Sequence, residues 1–146
     1  MAKIILTVDT RLPQATNTRR FVLDTENIVG LFKDVHGNTG VVFKPAAVAQ
    51  PKSVYVTETF EELAETLQLE NPNKTVVTVN HKVQQSLIAQ FVLDVRKLVG
   101  VVENHLGTQL TIKTSENAVP TLAFVTEDFD EIASLYIDGP FDPELD

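Results

Sequence analysis

Cysteine is absent from this 146-residue chain, and its absence excludes a disulfide framework and thiolate chemistry. No apolar run approaches the roughly 20 residues that a membrane-spanning helix needs. The first residues, MAKIILTVD, combine one Lys with a short apolar run that soon meets Asp9. We therefore predict a strand there rather than a signal peptide, and no membrane partner.

Positive charge is also scarce. The chain has 12 Lys and Arg against 20 Asp and Glu, a formal net charge of −8. The deficit is uneven, because residues 1–72 carry 7 basic and 9 acidic side chains, whereas residues 73–146 carry 5 and 11. Cationic side chains supply most of the affinity of proteins for a phosphate backbone, so we expect no nucleic-acid partner.

The common signatures of enzymes and cofactor sites are missing as well. The sequence has no G-x-G-x-x-G, P-loop, G-x-S-x-G or EF-hand motif. No two of its histidines, His36, His81 and His105, lie at the helical spacing of a zinc pair. The acids around Glu58 and Glu127 fall where helices are predicted to begin, and helix capping explains them there. We predict no catalytic residue, no cofactor and no metal, and a protein that is not an enzyme.

An internal repeat dominates what the sequence does contain. VTETFEEL at 56–63 recurs as VTEDFDEI at 125–132, an offset of 69 residues. RFVLD at 20–24 recurs as QFVLD at 90–94, an offset of 70. The offset changes only by single residues, within predicted loops, where deletions are best tolerated. We interpret the chain as a tandem duplication.

Each copy predicts five short strands followed by one helix. The strand segments are rich in β-branched and aromatic residues, and Gly30 and Gly100 mark a bulge at matching positions. The predicted fold is α+β and mainly β. It consists of two tandem copies of a small antiparallel bent sheet or partly open barrel, each followed by one helix and packed as a pseudo-dimer. The predicted parts are unit 1 at 1–70, unit 2 at 71–137 and an acidic C-terminal tail at 138–146.

Apolar positions that recur in both copies predict the cores. Thr59-x-x-Glu62 has the spacing of a capping box, so a helix should begin there. The helix stripes expected to face the sheets are Phe60, Leu63, Ala64 and Leu67 in copy one and Phe129, Ile132, Ala133 and Tyr136 in copy two. Phe21 and Phe91 are also predicted to be buried.

One copy resembles the small flagellar FlbD proteins. RFVLDTENIVGLF, the hairpin VVFK and SVYVTETFEEL, within residues 20–63, follow that family's order. The order is a phenylalanine strand, an acidic turn, an isoleucine-rich strand, a hairpin, and a strand leading into a Glu-rich helix. Copy two follows it from Phe91 to Ile132, and many short bacteriophage proteins look similar. The resemblance implies a small, non-enzymatic accessory protein.

Three hypotheses for function follow. The first is a structural or assembly component of a bacteriophage particle, associated with the head or tail, in the virion or the bacterial cytoplasm. It would act through contacts with itself or with other particle components in an oligomeric assembly. The second is a bacterial accessory or adaptor protein of the flagellar-like kind. The third is a small-molecule binding protein or enzyme whose site carries no recognised motif.

The binding surface is predicted to lie where the copies differ, because the core uses the repeated positions. A cationic loop after the first strand and the acidic tail could pair head to tail between neighbouring chains. The interface candidates are Arg11, Arg19, Arg20, Phe141, Asp142, Glu144 and Asp146.

Overall fold

The computed structural model describes residues 3–14, 17–45, 50–113 and 119–138. Strands make up 47% of the structure and helices 22%, which confirms the prediction of a mainly β protein with antiparallel sheets. The chain divides into two compact units, Met1–Glu70 and Asn71–Asp146. We describe each unit by itself.

Unit 1 has five strands and one helix. They are β1 Lys3–Thr7, β2 Arg20–Asp24, β3 Ile28–Asp34, β4 Thr39–Phe43, β5 Lys52–Val56 and α1 Phe60–Glu70. β1 and β2 form an antiparallel ribbon, and β3, β4 and β5 pair as successive antiparallel neighbours. A single bridge between Val8 and Val56 ties the end of β1 to β5. The order across the unit is therefore β2-β1-β5-β4-β3.

Unit 2 repeats this order. Its elements are β6 Lys74–Thr78, β7 Ile88–Asp94, β8 Leu98–Asn104, β9 Gly107–Ile112, β10 Thr121–Val125 and α2 Phe129–Asp138. β6 pairs with β7, β9 lies between β8 and β10, and a bridge joins Val79 to Val125. In both units a 3-10 turn leads from the second strand to the third. The predicted order of five strands and a helix, present twice, is confirmed.

Glycines bend both units at matching places. The register shifts between Ile28 and Gly30 in β3 and between Leu98 and Gly100 in β8, as predicted. Such a bulge increases the local twist and lets a small sheet curl around its core. The β3–β4 turn contains Gly37, whose φ of 84° lies in the region that glycine adopts without strain.

The two helices bury different amounts of apolar surface. In α1 the predicted stripe is confirmed, since Phe60, Leu63, Ala64 and Leu67 are all buried. In α2 Ile132 is buried in the core of unit 2 and Leu135 packs partly against it. Tyr136 is exposed, so its predicted place in the core was wrong.

Burial of all four repeated phenylalanines was also a wrong prediction. Phe60 is 3% exposed, but Phe21, Phe91 and Phe129 are half-buried. Phe21 stacks on Phe43 at a centroid distance of 5.2 Å. Phe129 borders an open depression of unit 2.

Candidate functional site

The loop after β1 holds one of the three predicted arginines in an ion pair. The Arg11 guanidinium donates to both carboxylate oxygens of Asp9, at 3.0 Å from Nε and 2.8 Å from Nη2. The Asp9 side chain is only 2% exposed. The side-chain hydrogen bond from Arg11 holds the pKa of Asp9 below its ordinary value, against the opposing effect of burial. The charge of Arg11 is thus matched inside its own loop.

The other two arginines lie at the start of β2. Arg19 and Arg20 are both exposed, and the carbonyl oxygen of Arg19 accepts a hydrogen bond from the Val8 N–H at 2.9 Å. The structure therefore places two adjacent cationic side chains at one end of this strand. The remaining interface candidates lie outside the described residues; they are Phe141, Asp142, Glu144 and Asp146.

A glutamine from the same loop covers the edge of β5. The Gln14 Oε1 accepts from the Tyr55 N–H at 2.7 Å, and Nε2 donates to the Tyr55 carbonyl at 3.1 Å. The side-chain amide thereby makes the bonds that a neighbouring strand would make. In unit 2 the Gln84 Oε1 accepts from the Phe124 N–H at 2.8 Å on β10. Sequence reasoning missed this pair, although Gln14 and Gln84 keep the repeat offset of 70 within otherwise divergent loops.

The glutamate of the repeated VTE motif holds the first strand of each unit. Glu58 Oε1 accepts from the Thr7 N–H and Glu127 Oε1 from the Thr78 N–H, both at 2.9 Å. The helices begin two residues later, so the assignment of these two acids to helix capping was wrong. Capping itself is present in unit 1, where the Glu62 N–H donates to Thr59 Oγ1 at 3.2 Å.

Charge differs between the units beside the start of each helix. In unit 1 the Lys33 Nζ lies 2.9 Å from Glu61 Oε2, and this hydrogen bond lowers the pKa of Glu61. The equivalent residues of unit 2 are Glu103 and Asp130. Both line an open depression of about 480 Å³ that also includes Lys82. Two acids thus replace the cation–anion pair of unit 1.

The outer face of the β1–β2 ribbon carries an exposed apolar pair. Ile5 and Val22 lie directly opposite each other, and are 61% and 64% exposed. The equivalent pair of unit 2, Val76 and Val92, has the same register but is half-buried. The two ribbons therefore share a geometry and differ in how much apolar surface they present to water.

No group of three or more His, Asp or Glu side chains within the described ranges could hold a metal ion. Neither described helix has the length and apolar character needed to cross a membrane. Comparison with protein-family models, with curated proteins and with solved structures found no match. The likeness to FlbD proteins accordingly stays a prediction from sequence.

Proposed function

We propose that this protein is a non-enzymatic structural or assembly protein that acts through protein–protein contacts. The observation that carries the proposal is the exposed cross-strand pair of Ile5 and Val22. Single exposed apolar residues are ordinary on protein surfaces, whereas adjacent ones form a patch that a partner can cover. Burying such a patch contributes about 25 cal/mol for each Å² of apolar surface removed from water.

We further propose that the assembly is a bacteriophage particle, in which the protein is a head- or tail-associated component of the virion. Two features support this proposal. The repeated unit looks similar to small bacteriophage proteins in sequence, and the same order of strands and helix occurs twice in one chain. Repeated β units offer repeated surfaces, which suit rings and shells.

A test compares a double lysine variant at this apolar pair with a lysine substitution elsewhere on the surface. Ile5→Lys combined with Val22→Lys should prevent incorporation into purified particles, because it places two charges where a partner covers apolar surface. Leu69→Lys is the control for an added surface lysine, since Leu69 is also exposed but lies near the end of α1. Quantitative mass spectrometry of particles and of the free pool measures the distribution. Equal incorporation of both variants, or absence of the wild-type protein from particles, would contradict the proposal.

A further inference from the structure

We infer that the outer face of the β1–β2 ribbon binds the same face of a second copy of this chain, and that the two copies form a two-fold symmetric dimer. The inference rests on the proposed assembly function, because it takes the exposed pair of Ile5 and Val22 as the centre of the contact. It adds the partner, the symmetry and the charged residues that align the two chains.

Three cross-strand pairs make up this face. Side chains alternate between the two faces of a strand, so every second residue of β1 and β2 shares the face of Ile5 and Val22. The intervening residues Leu6 and Leu23 are buried, so the face of Ile5 is the one turned away from the core. In order along the ribbon, the pairs on this outer face are Lys3–Asp24, Ile5–Val22 and Thr7–Arg20.

Strand β2 carries opposite charges at the two ends of this face. Arg20 lies at one end, Asp24 lies at the other, and Val22 is between them. Arg20 is exposed and Asp24 is half-buried. Neither side chain belongs to any of the ion pairs formed among the described residues. The Asp24 carboxylate accepts a hydrogen bond from the Glu26 N–H at 3.0 Å, and both charges remain available to a partner.

The equivalent face of unit 2 satisfies its polar groups internally. Gln90 replaces the arginine there, and its Nε2 donates to Thr78 Oγ1 at 3.1 Å. Asp94 corresponds to Asp24, and its Oδ2 accepts from Arg96 Nη2 at 2.8 Å. The apolar pair between them is half-buried. Of the two faces, that of unit 1 therefore offers both exposed apolar surface and unmatched charge.

A two-fold axis matches the charges of one copy to those of the other. Let the axis lie between two facing ribbons and cross the strands at Val22, so that the strands of the two copies run in opposite directions. Val22 then faces Val22 of the second copy, and Arg20 of each copy faces Asp24 of the other. Such a contact is self-complementary, because the same patch serves on both chains. It has an apolar centre and a polar rim, as protein interfaces do.

The size of the face sets how strongly it can bind. Its three pairs contain six residues, fewer than the roughly 20–30 residues a side of a stable interface. We therefore expect a weak dimer in exchange with the monomer, whose proportion rises with protein concentration. Because opposite charges across an interface fix its register, reversing a charge tests the alignment as well as the contact.

The test reverses one charge at a time. Arg20→Glu places two acids opposite each other at both ends of the dimer, and Asp24→Lys places two cations there, so each variant alone should be monomeric. When the two variants are mixed in equal amounts, opposite charges face each other at both ends, and a one-to-one dimer should form. Sedimentation velocity over a range of concentrations measures monomer and dimer for wild type, each variant and the mixture.

A control and a substitute variant separate this contact from general effects of charge and folding. Arg19→Glu is the matched control, because Arg19 is also exposed but alternation places its side chain on the other face of the ribbon. It should dimerise like wild type. Asp24 also caps the 3-10 turn after β2, so Asp24→Asn, which keeps a capping side chain, is used if circular dichroism shows that Asp24→Lys does not fold. Arg20→Glu should then associate more with Asp24→Asn than with itself.

We expect a wild-type dimer, two monomeric single variants and a restored dimer in the mixture. Arg20→Glu protein that dimerises like wild type would overturn the inference, and is the result expected if the axis ran parallel to the strands and placed Arg20 opposite Thr7. A mixture that stays monomeric, or wild-type protein that is monomeric at all concentrations tested, would also overturn it. The presence of wild-type protein in purified particles decides the assembly function separately in each of these cases.

Discussion

At the scale of single residues, the loop after the first strand makes the same side-chain hydrogen bond in both units, with a charged residue in unit 1 and a neutral one in unit 2. Asp9 accepts from the Arg11 N–H at 3.0 Å, and Asn80 accepts from the Lys82 N–H at 3.1 Å. Both side chains fix the loop through the same kind of bond two residues ahead. Only in unit 1 is this bond joined by an ion pair. The stability of this loop should therefore depend on acid pH in unit 1 alone.

Asp9→Asn should therefore remove an acid-dependent part of the stability. The pKa of Asp9 is lower in the folded protein than its ordinary value of 3.8, so its ionised form stabilises the fold above that pH. This contribution is lost as the pH falls below 3.8 and through the folded pKa. Urea unfolding at pH 7 and in the acid range should show a smaller decrease for Asp9→Asn than for wild type. The same decrease in both proteins would contradict the role of the ion pair.

At the scale of elements, the phenylalanine that begins each helix should contribute differently to stability in the two units. Phe60→Ala should destabilise the protein by about 3–5 kcal/mol, the range for a truncated core phenylalanine. Phe129→Ala should lower the free energy of unfolding by clearly less, because Phe129 is partly exposed already. Thermal unfolding of the two variants measures the difference. Equal losses of stability in the two variants would contradict this dependence on burial.

Two glycines in the sheet of unit 1 should differ in how well they tolerate substitution by alanine. Gly40 lies opposite Phe32, and a Cβ at Gly40 would overlap the Phe32 ring. Gly30 is different, since a Cβ there would meet Val42 at 3.4 Å, an ordinary contact. Gly40→Ala should therefore destabilise unit 1 much more than Gly30→Ala, measured by denaturant unfolding. A Gly30→Ala loss as large as that of Gly40→Ala would show that the bulge itself needs glycine.

The elements could be predicted because their signals are local. Strand composition and the glycine bulges at Gly30 and Gly100 depend on residues a few positions apart. The bonds of Gln14 to Tyr55 and of Glu58 to Thr7 could not be predicted, because their partners lie 41 and 51 residues away. Nothing near either side chain indicates which backbone group it reaches.

At the scale of the whole molecule, salt should weaken self-association. Arg19 and Arg20 are exposed, and interactions between exposed charges are screened over about 10 Å at 0.1 M salt. The dissociation constant measured by sedimentation should therefore rise with salt for wild type. The rise should be smaller for a variant in which Arg19 and Arg20 are replaced by Gln, because that variant lacks both charges. An association that strengthens with salt in both proteins would contradict a contribution from the arginines and leave the apolar pair of Ile5 and Val22 as the contact.

The hydrogen bond between Thr7 and Glu58 has a consequence for synthesis on the ribosome. Glu58 is made 51 residues after Thr7, and at about 5–20 residues per second that interval lasts roughly 3–10 s. During this time the N–H of Thr7 lacks its carboxylate partner in a chain that is still growing. Because unit 2 has its own glutamate at position 127, unit 1 does not depend on the second half of the message for this bond. We expect the hydrogen bond between Thr7 and Glu58 to form in the first half of each nascent chain while the second half is still being translated.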